Sequence, residues 1–477
     1  MTPRLGPALA AAAVLTAGCR VGPDYIPPTI EAPPAWRASD EAIYSSEEPQ
    51  ALSVWWQALG DAALDGLIDR ALRGSLSLAV AVQRVRNLAA LRGRAFGERF
   101  PDIDADGGYA RSRFGQNSFP PQPSAKTFDL YDVGLLFSWE IDLWGRVTRS
   151  IEAADADLAA SIEDLRDVRV LLVAEVAAEY VALRASQARV AVANSNIEIQ
   201  RRSLELTEAR FNAGAAPALD VAQARRNLAN TEAELPTLQA EIRLALLNLS
   251  LLLGDRPDEL LEELADAGPL PEPPPTVVVG VPAEALRRRP DVRSAERRLA
   301  AEVARIGVEL GDLYPRFTLG GSIGFESTAS TRWFDTDSGI FGFGPSFQWN
   351  LFDGGRELGE LRAQRAQADI ALLDYRSSVL NAVAEVEDSL FQHVRERERA
   401  AALRRSAAAA RESAVLSREL YLAGRSDFQN VLDAERSLFE AEDLLIRSRS
   451  EVAQTYVALH RALGGGWEPR ALRAGGD

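Results

Sequence analysis

This 477-residue chain is poor in the residues that usually carry chemistry, with one Cys, one Met and two His. A single cysteine excludes an internal disulfide and a cysteine-based zinc site. His393 and His460 lie far apart on helical stretches, and a lone histidine is weak evidence for a site, so both read as structural or solvent-facing. Only Lys126 among the 53 basic residues is lysine, and the formal charge is −16. Such an acidic chain does not hold nucleic acid by its overall field. Past residue 18 no apolar run reaches the roughly 20 residues of a membrane-crossing helix. If the chain spans a bilayer, it must do so as closed β-strands. Gly320, Gly321 and Gly324 lack the lysine of a phosphate-binding loop and sit in strand-like sequence. With no nucleophile pair, metal cluster or phosphate cradle, the chain does not read as an enzyme, and no cofactor is called for.

What is present is duplication. Trp139–Gly145 (WEIDLWG) and Trp349–Gly355 (WNLFDGG) lie 210 positions apart, as do Phe211–Gly214 and Tyr421–Gly424, and Leu253–Gly254 and Leu463–Gly464. Upstream the offset is 214, matching Ala71–Leu72 with Ala285–Leu286 and Phe100–Pro101 with Tyr314–Pro315. A fixed period implies two copies of one supersecondary unit. The resulting division is a signal peptide (1–18), an N-terminal arm (19–60), a first repeat (61–254), a Pro-rich linker (255–281), a second repeat (282–464) and a tail (465–477).

The first 18 residues carry Arg4, an apolar stretch from Ala8 to Leu15 and small residues before Cys19. This is the layout of a secretory signal, and ending it on Cys19 matches a bacterial lipoprotein, with Thr16 the departure from pattern. Each repeat opens with a helix, about 60–98 or 282–312, followed by two strand-like segments, about 101–141 or 315–352. A long helical stretch comes next. No Gly or Pro occurs from Arg146 to Ala213 or from Glu360 to Ala423. Either stretch would span about 100 Å, which demands coiled-coil packing. Leu158, Ile162, Leu165, Leu172 and Val176 are spaced like a seam. Gly214 and Gly424 mark tip turns into return helices, the first of which Pro236 is expected to kink or split.

The strand segments alternate. Tyr131, Val133, Leu135, Phe137, Trp139 and Ile141 interleave with smaller or polar residues, as do Phe317, Leu319, Ile323 and Phe325, and Phe341, Phe343, Phe347 and Trp349. One apolar, aromatic face and one polar face is the pattern of a lipid-facing barrel strand around a wet lumen. A soluble half-buried sheet alternates in the same way. Asp102, Asp104 and Asp106 suit a lumen. Four strands cannot enclose a bore, since even eight are filled by their own side chains, so the chain must associate with copies of itself.

These features resemble the TolC-like outer membrane factors, specifically the NodT-type lipoproteins of RND efflux systems. The resemblance rests on Cys19–Tyr25 (CRVGPDY), Trp55–Trp56, Leu59–Asp61, Trp139–Arg146, Arg288–Asp291 (RRPD), Leu313–Pro315, Val431–Arg436 and Ala462–Trp467. It implies an α+β membrane protein: a homotrimer with a twelve-stranded barrel, four strands per chain, on a long α-helical coiled-coil periplasmic tunnel. It further implies a lipid-anchored protein in the outer membrane of a Gram-negative bacterium, acylated at Cys19. Small molecules would leave passively, expelled by an RND-type inner-membrane pump through a periplasmic adaptor. By the same resemblance Asp433 lies at the periplasmic entrance and Tyr421 latches the tip, with Phe211 its partner in the first copy. Asp220 sits near the repeat-related place, whose strict counterpart is Asn430. Three copies of Asp433 would form a selectivity ring, and opening would untwist the tip hairpins. The plain alternative is that Asp433 only pairs with Arg436. Two rival functions stand beside efflux: a type I protein-secretion duct, and a trimeric coiled-coil adhesin, which has no use for strand hairpins.

Overall fold

The computed structural model describes residues 20–29, 33–37, 44–45, 52–115, 126–256 and 259–467. The signal segment, Cys19 and the tail beyond Trp467 lie outside them.

The chain is mostly helical with one main sheet. In order its elements are β1 (Tyr44–Ser45), α1 (Ala62–Gly74), α2 (Leu76–Gly97), β2 (Asp102–Phe114), β3 (Lys126–Ile141), α3 (Arg146–Asn212), α4 (Ala218–Leu253) and α5 (Glu259–Glu263). Then follow β4 (Val277–Val278), α6 (Pro282–Arg288), α7 (Pro290–Asp312), β5 (Arg316–Ser327), β6 (Gly339–Gln348), α8 (Arg356–Leu422) and α9 (Phe428–Ala462). α3 and α8 have 67 residues each. No described helix is long and apolar enough to cross a membrane.

Two expectations are corrected. The opening helix of each half is broken, at Ser75 and at Arg289. The second break sits before Pro290, whose ring disfavours helical backbone in the residue ahead of it. Of the kink or split expected at Pro236, the split is absent: α4 runs as one helix from Ala218 to Leu253. The helix survives a missing N–H where its neighbours hold the remaining turns. The Pro-rich linker contains α5, and its β4 pairs in parallel with β1 through Tyr44↔Val277 and Ser45↔Val278.

Two compact units form, each assembled from separated stretches. Among the described residues, one comprises those within 20–28, 84–161 and 294–376, and the other those within 29–83, 162–293 and 377–467. The first holds the four-stranded antiparallel sheet, in order β2-β3-β5-β6. Its strand ends are fastened in matching ways. Trp139 Nε1 donates to the Arg99 carbonyl at 3.0 Å, and Trp349 Nε1 to the Leu313 carbonyl at 3.1 Å. Asp142 starts α3 by accepting from the Val147 and Thr148 amides at 3.1 and 2.9 Å. The arm joins this unit through Arg149, which bonds Asp24 at 2.8 Å and Glu152 at 2.7 Å.

The second unit owns the main core, built from Trp55, Trp56, Leu64, Ile68, Val176, Tyr180, Leu249, Leu390 and Tyr456. Trp55 stacks on the buried His460 ring at 5.0 Å, and His393 is fully buried with its Nδ1 3.0 Å from Thr455 Oγ1. Burial lowers both histidines to a pKa of about 4. Both are neutral framework residues, and neither faces solvent. Arg289 of the RRPD segment donates to the Ala462 carbonyl at 2.7 Å and holds Asp291 and Glu385 at 2.8 and 2.7 Å. Thus motifs distant in sequence meet here.

Candidate functional site: a two-faced sheet and two helix hairpins

The sheet register carries the alternation of each strand across the whole sheet. Ile103, Phe137, Gly321 and Phe343 fall in one cross-strand row, and Ala105, Leu135, Ile323 and Phe341 in the next. The opposite face lines up Asp102, Asp104, Asp106, Asp132 and Glu326 mostly among Gly and Ser, with Leu130, Leu136 and Ile340 also on that side. The apolar face is bare: Phe341 is 79% exposed, Phe343 68%, Phe347 69% and Ile103 68%. A soluble half-buried sheet would cover such rings with its own core. Aromatic side chains left in water on this scale forgo about 2 kcal/mol each, so this face meets another apolar phase or surface. Gly321 is part of the same packing, because a Cβ there would lie 2.3 Å from the Phe343 ring. β2 and β6 each have one strand neighbour among the described residues.

The second unit contains two helix hairpins closed by the same turn. Gly214 (φ +74°) and Gly424 (φ +69°) end α3 and α8 in the left-handed conformation. The Ala215 amide donates to the Arg210 carbonyl and the Gly214 amide to Phe211, at 2.8 and 2.9 Å. The Arg425 amide donates to Leu420 and the Gly424 amide to Tyr421, at 2.9 and 3.0 Å. This pair of bonds needs a positive φ at the glycine and satisfies the last helix carbonyls.

The two hairpins pack on each other. Tyr421, 6% exposed, lies against Phe428 with ring centroids 5.2 Å apart, in a cluster with Ala224, Val431 and Leu432. The Arg210 guanidinium sits 4.5 Å over the Tyr421 ring. The Tyr421 hydroxyl is buried and has no partner among the described residues. Asp433 is half exposed, accepts from Gln429 Nε2 at 3.2 Å and lies 3.5 Å from Arg436. Asp220 opens α4, where burial and, second, the nearby Asp427 raise its pKa. The fold therefore gathers Tyr421 with the turn of its own hairpin and with Arg210, while Asp433 and Asp220 each keep a separate local setting.

Two residues here escaped the sequence reading. Glu435 is 3% exposed and accepts from the Ser203 hydroxyl across α3 and α9, and burial raises its pKa. Its place was legible: Phe428, Val431, Leu432, Glu435 and Leu438 follow the spacing of a buried helix stripe. Arg210 gave no such signal. Among the described residues no group of three or more His, Cys, Asp or Glu forms a metal site.

Comparison with known proteins agrees with this geometry. The family model for outer membrane efflux proteins matches residues 67–255 and 281–465. The chain is 31% identical over 458 residues to nodulation protein T of Rhizobium leguminosarum bv. trifolii, covering 96% of this chain and 97% of that one. It is 32% identical over 447 residues to the pyoverdine export outer membrane protein OpmQ of Pseudomonas putida, covering 93% and 94%. The solved outer-membrane channel OprN superposes with a TM-score of 0.89 at 37% identity, covering 94% of this chain and all of that one. With the family model spanning most of its length, the chain belongs to the outer membrane efflux protein family.

Proposed function

We propose that the chain is the outer-membrane exit duct of a tripartite efflux system, through which small molecules driven by an inner-membrane pump leave the cell. Its place in the outer membrane and its role in efflux come with the family. The finer parts are our reading: a homotrimer, a twelve-stranded barrel of four strands per chain, two internal repeats, a periplasmic adaptor and an RND-type transporter as partners, and acylation at Cys19. The observation that carries the proposal is the single-layer sheet with a bare aromatic face, an acidic opposite face and unpaired outer strands. Copies joined edge to edge would satisfy the strand edges, turn the aromatic face to lipid and the carboxylates to water. The equal 67-residue helices, matched tip turns and matched Trp bonds support two repeats.

At the tips, Asp433, Asp220 and Tyr421 are proposed to line and close the periplasmic entrance, with Gly214 and Gly424 as its turns. The Arg436 contact does not oppose this, because an ion pair between half-exposed groups is worth less than about 1 kcal/mol. The test is conductance of the purified protein in planar bilayers, with heat-modifiable trimers recovered from outer membrane. A stable monomer in buffer without detergent would refute the proposal. A deletion strain that accumulates drugs but still secretes proteins separates efflux from type I secretion.

A further inference from the structure

We propose that a pocket lined by α1, α2, α3 and Trp467 binds a small amphiphilic anion, a carboxylate or sulfonate on an aliphatic or compact aromatic body. The pocket lies wholly within the second unit and has a volume of about 350 Å³. Leu72, Leu78, Val82 and Leu165 form apolar walls, and Arg166, Arg169 and Trp467 complete the lining. This is within the usual size range of small-molecule sites, which are mostly apolar with a few convergent polar groups.

Arg169 is the polar group that calls for an occupant. Its Nε is buried without a partner. No described carboxylate reaches its charge, and burial alone acts on it, lowering its pKa. The chain has 69 acidic against 53 basic residues, and the buried arginines among the described residues have partners: Arg184 donates to Tyr180, Gln187 and the Asp266 carbonyl. Arg149 has Asp24 and Glu152, and Arg289 has Asp291 and Glu385. A half-buried guanidinium whose Nε is shut off from water and left single in so acidic a protein costs stability until an anion meets it. A planar fork of N–H donors suits a carboxylate or sulfonate, and such charge-assisted bonds are the strong ones.

The rest of the site adds positive potential. Arg166 and Arg293 lie 4.7 and 5.5 Å from the Trp467 ring centre and share one carboxylate, Glu163, at 2.6 and 2.7 Å. Two guanidinium groups against the indole, sharing one carboxylate, leave the local charge cationic. An amphiphile would set its headgroup on Arg169 and its body against the leucines.

The test is calorimetric titration of octane-1-sulfonate into the full-length assembled protein held in an uncharged detergent, with octan-1-ol as the neutral control. One saturable site per chain is expected for the sulfonate and none for the alcohol. Arg169→Gln should weaken binding about tenfold or more, the worth of a charged hydrogen bond, and Arg169→Lys should retain part of it. Arg169→Gln removes a charge without a partner, so its thermal stability should equal or exceed the parent's. Val82→Trp, which fills the pocket and keeps the charge, should abolish binding. Equal binding by the parent and Arg169→Gln overturns the proposal, as does equal affinity for the alcohol. Absence of saturable binding with a loss of trimer stability in Arg169→Gln also overturns it, because a carboxylate of a second copy would then already occupy the site.

Discussion

The tip packing separates the ring of Tyr421 from its hydroxyl. The ring is 6% exposed, touches Phe428 and carries Arg210 above it, whereas the hydroxyl has no described partner. Truncating a buried aromatic to alanine costs about 3 kcal/mol or more. About 1 kcal/mol of that belongs to the aromatic pair and about 1 to the cation over the ring. Removing only an unsatisfied buried hydroxyl is neutral or gains about 1 kcal/mol. Tyr421→Ala and Tyr421→Phe should therefore differ in sign. The assay is amide hydrogen exchange across residues 416–432 together with single-channel conductance. Exchange protection should fall about 100-fold in Tyr421→Ala, since each 1.4 kcal/mol is tenfold, and the channel should open more readily. Tyr421→Phe should match or exceed the parent in protection and conduct as the parent does. If Tyr421→Phe opened the channel as Tyr421→Ala does, the hydroxyl would hold the tip and the reasoning from the ring would fail.

Three further outcomes are expected. Asp433→Asn should alter cation block and conductance in bilayers, and unchanged values would remove it from the entrance. Asp167 shares a cleft with Asp291, Glu385 and Arg289, and burial, followed by the Asp291 charge, raises it to about 6. A raised carboxyl binds its proton more tightly in the folded state, so this group favours folding below pH 4 and loses that contribution as pH rises through about 6. Asp167→Asn should then stabilise the protein at pH 7.5 by about 1–2 kcal/mol after screening in the open cleft, with no gain at pH 4. Melting curves at the two values check this. Gly321→Val should block the seat of the Phe343 ring, whose nearest atom would lie 2.3 Å from the new Cβ. Trimer yield in outer membrane fractions should fall sharply, while Gly342→Ala, which meets nothing within 4 Å, should be tolerated.

Much of the fold was legible because its signals are periodic. Two-residue alternation placed most apolar residues of β3, β5 and β6 on one face, and the register of the sheet preserved it, with Leu130, Leu136 and Ile340 among those left on the other. Long stretches free of Gly and Pro gave α3 and α8, and the glycines at 214 and 424 gave their ends. The failures were contextual. Pro236 sits inside an intact helix because packing outweighed its local cost, and the β1–β4 pair joins residues more than 230 positions apart. At the tips the sequence picked out Tyr421 but not Arg210 above it, and Asp433 but not the buried Glu435 two residues on.

Local chemistry along the chain determined the order of helices and strands, which strand face is apolar, and where each hairpin turns, because spacing and backbone preference act between near neighbours. Only the tertiary structure decided which arginines are neutralised and which, like Arg169, are not, and that the Tyr421 hydroxyl is buried without a partner. Pairing and desolvation depend on groups brought together from distant parts of the chain, and no residue's own neighbours in sequence report them.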